Sequence, residues 1–343
     1  MTLLSLILPC RNEALYIGPC LDTLLATRYP MEGLEILVVD GMSDDGTREL
    51  VSRYAARYGR IRLLDNPRRV APSALNIGIA AATGDVIARV DAHALYPPEY
   101  LPRLVRALEE TGADNVGGPV VTLPANSGAQ AQAISLALSH PLGVGNSWFR
   151  IGSRDARWVE TVPFGCWRRE LFRRIGGFDE ELVRNQDDEF NYRTARAGGR
   201  ILLLPEAVSY YFARDSLGQA ARMMYQYGFY KPLVARKVGR VATLRQLAPP
   251  ALVAGLIAGA ALAPFWAPAA WLWAGVILLY ALLVIAGALS AGWSRGSRVV
   301  AALLAAFPAM HFAYGWGYLR GLWGARAERR PRWRDPAAVP LTR

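Results

Sequence analysis

The chain has 343 residues, enough for about two domains of ordinary size. It carries 39 Lys and Arg against 28 Asp and Glu, a net charge of +11, and much of the excess lies after Leu247, where nine arginines face two acidic residues. A DNA- or RNA-binding groove would place that excess in the folded domain, so a nucleic-acid partner is not expected. Two uncharged stretches, between Arg245 and Arg295 and between Arg298 and Arg320, exceed the roughly 18 residues of a membrane-span candidate and exclude a soluble single-domain protein.

The N-terminal segment up to Pro9 has no basic flank, and its apolar run is too short for a signal peptide. The residues before Gln246 are therefore expected to stay in the cytoplasm. Cys10, Cys20 and Cys166 show neither metal-binding spacing nor a disulfide framework, which is typical of a reducing compartment.

The first 120 residues alternate short apolar runs with helical patterns, which predicts an α/β fold with a mostly parallel sheet. The predicted strands are Leu3–Leu8, Leu34–Val39, Ile61–Leu64 and Val86–Val90. The predicted helices are Glu13–Leu25, Thr47–Tyr58 and Ala71–Ala82. Ligands of such sheets bind beyond the carboxyl ends of the strands, so the residues that follow each strand are the first candidates for a functional site.

Polar clusters follow three of these strands: Pro9-Cys-Arg-Asn-Glu13, Asp40-Gly-Met-Ser-Asp-Asp-Gly-Thr47 and Asp91-Ala-His93. Capping and turn chemistry explains any one cluster about as well as a function does. Together they predict a single crevice that holds Glu13, Asp40, Asp44, Asp91 and His93, and so many acids need a cation or hydrogen-bond donors. Asp91 and His93 suit a divalent ion such as Mg²⁺ or Mn²⁺, with diphosphate oxygens completing its shell.

A second polar set lies in the middle of the chain and includes the run Gln186-Asp-Asp-Glu-Phe190. On a helix, Asp187, Phe190 and Arg193 are expected near one face, with Glu189 pointing elsewhere. An acid at a helix start is either a partner of the helix dipole or a candidate catalytic base.

Neither a P-loop nor a dinucleotide fingerprint follows a strand, which argues against P-loop NTPases and Rossmann dehydrogenases.

The last part of the chain is apolar. Leu217–Val238 is predicted to be a basic, aromatic helix at the membrane interface, and an ordinary amphipathic helix of the domain is the alternative. Leu247–Phe265 and Ala269–Leu289 predict a hairpin through the membrane that returns the chain to Arg295 on the cytoplasmic side.

Val299–Leu319 allows two paths. Its 21 uncharged residues are long enough to cross the membrane, which would make three crossings. The arginines that follow it favour a cytoplasmic C-terminus, and this in turn favours a re-entrant or interfacial segment that folds back near Pro308. A basic tail over 324–343 would then lie on anionic lipid headgroups.

Several motifs occur in a familiar order: Pro9, Asn12-Glu13, the Asp40–Thr47 loop, Asp91-Ala-His93, Gly176-Gly-Phe-Asp179 and Gln186-Asp-Asp-Glu-Phe190. In this order the chain resembles the family 2 inverting glycosyltransferases of the GT-A fold, over roughly residues 3–240. A narrower group, the succinoglycan-type glucosyltransferases of bacterial exopolysaccharide synthesis, is resembled by Arg89-Val-Asp-Ala-His93, Tyr96-Pro-Pro, Gln186-Asp-Asp-Glu-Phe-Asn-Tyr-Arg193 and the membrane tail.

The resemblance implies a GT-A catalytic domain over 1–215, followed by an interfacial helix and linker over 216–246 and membrane helices over 247–323. It implies a divalent metal on Asp91 and His93, and a base that is Asp187 or its neighbour Asp188. Gln186 stands where the family usually has Glu, and the position of Arg193 favours Asp187. The implied donor-binding residues are Pro9, Asn12, Glu13, Asp40, Ser43, Asp44, Arg89 and Asp91.

The function implied by the resemblance is transfer of a hexose such as glucose from a nucleotide-sugar, expected to be a UDP-sugar, to a hydroxyl of a polyprenyl-diphosphate-linked saccharide. The expected location is the cytoplasmic face of a bacterial inner membrane, with a multi-pass anchor. The processive Gln-x-x-Arg-Trp motif is missing, which predicts single additions. A polyprenyl-phosphate sugar synthase and a non-catalytic membrane scaffold are the alternatives, and the scaffold would have no need of these acidic residues.

Overall fold

The computed structural model describes residues 2–239 and 243–327, with side chains as far as Gly324. Its strands are β1 Leu4–Cys10, β2 Leu34–Asp40, β3 Ile61–Asp65, β4 Val86–Arg89, β5 Ala94–Leu95, β6 Asn115–Gly117, β7 Val120–Leu123, β8 Arg157–Trp158, β9 Cys166–Arg168, β10 Ile201–Leu203 and β11 Ser209–Phe212. Its α-helices are α1 Ile17–Leu25, α2 Thr47–Arg57, α3 Ala71–Ala81, α4 Tyr100–Thr111, α5 Ala129–Ala137, α6 Pro141–Val144, α7 Trp148–Ile151, α8 Arg169–Ile175, α9 Gln186–Arg196, α10 Leu217–Val238, α11 Ala248–Leu262, α12 Ala267–Gly292 and α13 Ser297–Ala327.

The main sheet has eight strands in the order β3-β2-β1-β4-β9-β6-β10-β8. The strands β3, β2, β1 and β4 are parallel, as predicted, while β9 lies antiparallel between β4 and β6. Leu6 and Leu8 of β1 pack in one core and Ile7 packs in another, because successive side chains of a strand point to opposite faces and helices cover both faces.

The predicted elements of this half agree with the structure to within a few residues. The largest difference is at α1, which begins at Ile17 and not at Glu13. The carbonyl of Glu13 accepts hydrogen bonds from the N–H groups of Tyr16 and Ile17, so residues 13–16 form a turn before the helix. This turn keeps the Glu13 side chain close to the end of β1.

A second, three-stranded sheet has the order β5-β11-β7. Strand β5 begins directly after His93, and the N–H of Phe212 in β11 donates to the His93 carbonyl at 3.1 Å. This small sheet therefore brings the end of β11, which lies far along the chain, next to the residues that follow β4.

Helix α10 has the predicted bounds Leu217–Val238, and it packs against both α9 and α13. Its contact with α13 is close because both helices carry glycines there. A Cβ on Gly228 would lie 2.0 Å from the Tyr314 carbonyl oxygen, and a Cβ on Gly317 would lie 2.2 Å from the Tyr225 carbonyl oxygen. The backbones can approach this closely only where side chains are absent, as in the small-residue interfaces of membrane helices.

Three helical segments are long and apolar enough to cross a membrane: Leu244–Leu262, Ala267–Arg295 and Ser297–Gly324. The first two correspond to the predicted hairpin. The predicted fold-back near Pro308 is wrong, because α13 continues as one helix through this proline, so the third segment has the form of a full-length span. Most of the basic tail predicted over 324–343 lies outside the described residues.

Candidate active site

The loops that follow β1 and β2 are joined to each other by hydrogen bonds. Asn12 adopts a positive φ of 56°, a conformation that Asn tolerates better than most residues. Its N–H donates to Ser43 Oγ at 2.8 Å, and its Oδ1 accepts from the Asp44 N–H at 3.1 Å. The N–H of Glu13 donates to Thr47 Oγ1 at 2.8 Å. The two loops therefore form one rigid edge at the carboxyl ends of the strands.

The prediction of one crevice that holds Glu13, Asp40, Asp44, Asp91 and His93 is wrong for Asp40 and Asp44. Asp40 is fully buried, and its carboxylate accepts hydrogen bonds from the Ser43 N–H at 2.9 Å and from the Arg48 guanidinium at 2.7 Å. Asp44 is exposed. Neither of these acids nor Ser43 lines the cavity described below, because Arg48 neutralises Asp40 in place and the Asp44 side chain faces solvent.

Glu13, Asp91 and His93 do come together. The Nδ1 atom of His93 lies 2.9 Å from Asp91 Oδ1 and 3.2 Å from Glu13 Oε1. Burial alone would raise the pKa of Asp91, but the positive charges of His93 and Arg89 lower it well below its usual range. Burial would lower the pKa of His93, but the Asp91 carboxylate raises it well above its usual value. The Asp91 carboxylate is therefore ionised.

A cavity of about 1140 Å³ opens beside these residues. Its wall at the strand ends includes Pro9, Asn12, Glu13, Arg89, Asp91 and His93. Asp187 and Asp188 also line it. Part of its wall is formed by the apolar C-terminal helices, with Leu252, Tyr280, His311 and Tyr314. One cavity thus joins the strand ends, a pair of acids and the candidate membrane spans.

Asp187 stands in the first turn of α9 and forms an ion pair with Arg89 at the end of β4. Arg89 is itself buried, and it also lies 4.0 Å from Asp91. Burial, together with the negative charges of Asp188 and Asp91, raises the pKa of Asp187 to about 6 despite the Arg89 charge. A carboxylate with that pKa is suited to accept a proton near neutral pH.

Asp188 is held differently, because it forms an ion pair with Lys231 of α10. Two further hydrogen bonds join the start of α9 to α10: Asn185 Nδ2 donates to the Tyr227 carbonyl at 3.0 Å, and Arg184 Nε donates to Gln226 Oε1 at 3.2 Å. The acids at the start of α9 are therefore fixed by the helix that packs on α13.

The expectation that Glu189 points away from Arg193 is wrong. Glu189 is buried, and Arg193 Nε lies 2.6 Å from its Oε1, as i and i+4 residues share a helix face. Arg193 also donates to the carbonyl oxygens of Ile175 and Gly177, both at 2.6 Å. This pair fastens α9 to the end of α8.

The cavity also contains residues that the sequence analysis does not single out, among them Arg150, Tyr211 and Arg214. The Tyr211 and His93 rings lie 4.9 Å apart, and the Arg150 guanidinium lies 5.6 Å from the centre of the Tyr211 ring. Burial alone would raise the pKa of Tyr211, but the charges of His93, Arg214 and Arg150 lower it. The sequence signal for these residues is weak, since Arg214 stands two residues after the end of β11 and no motif includes Arg150 or Tyr211.

A divalent cation fits Asp91 and His93 in part. The buried His93 Nδ1 has no hydrogen-bond partner of good geometry among the described residues, and it faces two carboxylate oxygens. Over residues 2–239 and 243–324, no three His, Cys, Asp or Glu side chains form a complete cation site. The protein would therefore hold such an ion together with ligands from a bound molecule.

Comparison with known proteins identifies the family. The model of glycosyl transferase family 2 matches residues 5–175. The succinoglycan biosynthesis protein ExoA of Rhizobium meliloti is 33% identical over 322 residues, which cover 92% of this chain and 94% of the relative. The chain belongs to glycosyltransferase family 2. Its motifs were therefore assigned to the correct family from the sequence.

Two further similarities concern an archaeal relative and the fold. A dolichyl N-acetyl-α-D-glucosaminyl phosphate 3-β-D-2,3-diacetamido-2,3-dideoxy-β-D-glucuronosyltransferase of Methanococcus voltae is 29% identical, over 69% of this family 2 chain and 75% of the relative. The structure of a mannosyltransferase from Pyrobaculum calidifontis, in complex with GDP-Man and Mn²⁺, has a TM-score of 0.59 and 24% identity, over 94% of this chain and 87% of that one. The likeness confirms the predicted GT-A fold.

Proposed function

We propose that this family 2 glycosyltransferase moves a hexose from a nucleotide-sugar to a hydroxyl of a lipid-linked saccharide, with inversion at the anomeric carbon. The observation that carries the proposal is the single cavity, which runs from the strand ends past Asp187 to residues of the candidate membrane helices such as Leu252 and Tyr314. An acceptor on a membrane lipid could reach Asp187 without leaving the membrane. The name of the relative from Methanococcus voltae, which mentions a dolichyl-linked sugar, supports an acceptor of this class.

The donor is proposed to bind at the strand ends, with its diphosphate towards Asp91 and His93. Pro9, Asn12 and Glu13 form the wall there, while Asp40, Ser43 and Asp44 act behind it by holding the loops in place. The nucleobase of the donor is expected to be uracil. If Asp91 and His93 hold Mn²⁺ or Mg²⁺ when the donor binds, the ion would neutralise the negative charge of the leaving diphosphate.

Asp187 is proposed as the catalytic base. The acceptor oxygen forms a bond to the anomeric carbon, its proton moves to the Asp187 carboxylate, and the bond to the diphosphate breaks with its electron pair on the leaving group. A single displacement of this kind inverts the anomeric centre. Asp188 is the weaker candidate, because the position of Arg193 in the motif favours Asp187 and because Asp187 pairs with Arg89, which lies beside the proposed diphosphate site.

Arg89 is proposed to stabilise the leaving diphosphate in this step. It forms an ion pair with Asp187 and lies 4.0 Å from Asp91, so it connects the proposed base with the proposed diphosphate site. When Asp187 takes up the proton, the positive charge of Arg89 loses its partner at the moment when negative charge develops on the diphosphate. The side chain would then stabilise the leaving group.

The membrane location is proposed on the same grounds. Nucleotide-sugars are made in the cytoplasm, so the catalytic domain is placed on the cytoplasmic face of the inner membrane. The three candidate spans fit a multi-pass membrane protein. A cysteine placed in the catalytic domain should resist an impermeant thiol reagent in intact cells and react after lysis.

The deciding experiment measures release of nucleoside diphosphate by the purified chain in lipid nanodiscs. Three conditions are compared: no acceptor, a polyprenyl phosphate, and a polyprenyl-diphosphate-linked sugar. Release with the linked sugar alone, and a β-linkage formed from an α-linked donor, would support the proposal. Release with the polyprenyl phosphate alone would identify a polyprenyl-phosphate sugar synthase, and an α-linked product would reject inversion.

A further inference from the structure

Two arginines in the cavity lack acidic partners. Among the described residues, neither Arg150 nor Arg214 has a carboxylate within 4.0 Å, although both side chains are partly buried. Three other cations of the cavity have carboxylate partners: Arg89 pairs with Asp187, Lys231 with Asp188 and Arg245 with Glu160. Removing a guanidinium from water without a counterion is costly, so this difference needs an explanation.

The surroundings of both arginines offer only weak hydrogen-bond partners. Arg150 reaches the Thr122 hydroxyl at 3.3 Å and otherwise lies near the rings of Phe149 and Tyr211. The buried Nε of Arg214 has no hydrogen-bond partner within the described part of the chain. Guanidinium groups that face a cavity with unused donors match the planar, paired oxygens of a phosphate.

We propose that Arg150, Arg214 and the Tyr211 hydroxyl form a second diphosphate-binding subsite, which adjoins His93 through Tyr211 but does not use Asp91 or His93 as ligands. The choice of a diphosphate as ligand rests on the proposed function, in which both substrates carry one. The subsite would bind an anion by charge and hydrogen bonds alone, without a metal ion, because it contains two cations and no carboxylate among the described residues.

The position of the subsite favours the acceptor lipid as the source of the diphosphate. Arg150 belongs to α7, which follows α6, and the Leu142 carbonyl of α6 lies 2.8 Å from Nε2 of His311 in α13. Arg214 stands three residues before α10, which packs on α13. Both arginines thus lie on segments next to the candidate membrane spans. The donor has the same diphosphate chemistry, and the test separates the two sources.

The test measures binding of inorganic pyrophosphate to the full chain in nanodiscs, in excess chelator so that no metal contributes. Arg150→Gln and Arg214→Gln should each weaken binding by about tenfold or more, since each removes a charge and the hydrogen bonds that the guanidinium makes to the anion. Arg57→Gln removes the same charge from an exposed position on α2 and should leave binding unchanged. Unchanged binding in both cavity variants would overturn the subsite.

Two further measurements, the affinity of a conservative variant and the melting temperature, distinguish a lost subsite from a folding defect. Arg150→Lys keeps the charge but loses the planar guanidinium, so this variant should bind pyrophosphate with intermediate affinity. An equal loss of affinity in the Lys and Gln variants, together with a lower melting temperature, would indicate a folding defect and count against the subsite. Because the readout is binding, it does not depend on whether the chain transfers a sugar.

Steady-state kinetics then assign the source of the diphosphate. A higher KM for the lipid-linked sugar, at an unchanged KM for the nucleotide-sugar, assigns the subsite to the acceptor. The reverse pattern assigns it to the donor. If neither KM changes, the subsite has no part in the reaction and the proposal fails.

Discussion

Arg89 at the end of β4 and Asp187 in the first turn of α9 form a partly buried ion pair across 98 residues of sequence. The pair joins the edge of the sheet that resembles a nucleotide-sugar site to the helix that carries the proposed base. Burial and two neighbouring carboxylates still raise the pKa of Asp187 to about 6. This balance makes the protonation of Asp187 accessible to experiment.

The pH dependence of transfer should follow Asp187. The base must be ionised to accept a proton, so kcat should rise about tenfold per pH unit below pH 6 and level off above it. The measurement is kcat at saturating substrates between pH 4.5 and 8, and Asp188→Asn should move the profile to lower pH, because it removes one of the negative charges that raise the pKa of Asp187. A flat profile would contradict the assignment of the base.

Substitution should separate the two neighbouring acids. Asp187→Asn should lower kcat by about 10²–10⁴-fold, the usual contribution of general-base catalysis, while the affinity for the donor changes little. Asp188→Asn should have the milder effect because it removes an ion pair with Lys231 and not the base. Single-turnover rates and donor titrations measure both. The opposite order of effects would move the base to Asp188.

Metal dependence is expected if Asp91 and His93 hold a divalent ion. Chelation should abolish transfer, and Mn²⁺ or Mg²⁺ should restore it. His93→Ala should weaken Mn²⁺ binding in the presence of nucleoside diphosphate, measured by electron paramagnetic resonance. His140→Ala changes a histidine that contacts Ser290 instead and should bind Mn²⁺ normally. Full activity in excess chelator would exclude a metal role.

The glycine contact between α10 and α13 should be sensitive to a single methyl group. Gly317→Ala would place its Cβ 2.2 Å from the Tyr225 carbonyl oxygen, so we expect a loss of about 1–3 kcal/mol in the free energy of unfolding. Gly275→Ala on α12 has nothing within 4 Å of its Cβ and should be neutral or slightly stabilising. Thermal unfolding in detergent compares them, and equal melting temperatures would show that the helices are not tightly packed there.

The parts of the fold that the sequence predicts are those with regular patterns. The apolar runs of β1 and β2 and the helices between the parallel strands follow from their periodicity, and Asp91 and His93 follow from their place after β4. The family motifs add the two acids of α9. These features depend on residues that are close in sequence or on a recognisable order of motifs.

Other parts depend on pairings that leave no local pattern. Strand β5 has only two residues, so the small sheet that brings Tyr211 to His93 could not be predicted. The antiparallel insertion of β9 between β4 and β6 gives no periodic signal either. Asp40 pairs with Arg48 and does not line the cavity, and α13 continues through Pro308 and does not fold back. Both predictions were wrong because they depend on neighbours in three dimensions, which the local sequence pattern does not show.

The contacts of α9 with α10, and of α10 with α13, fix the distance between the start of α9 and the candidate membrane spans. Asn185 and Asp188 bind α10, whose Gly228 lies against the backbone of α13. The proposed base is thereby held at a constant distance from the helices proposed to cross the membrane. A saccharide anchored in the bilayer would bring its terminal hydroxyl to Asp187 at one length only. After one addition the saccharide is longer by one sugar, and its new terminal hydroxyl would no longer lie at Asp187. The fixed distance would then limit each acceptor to a single transfer.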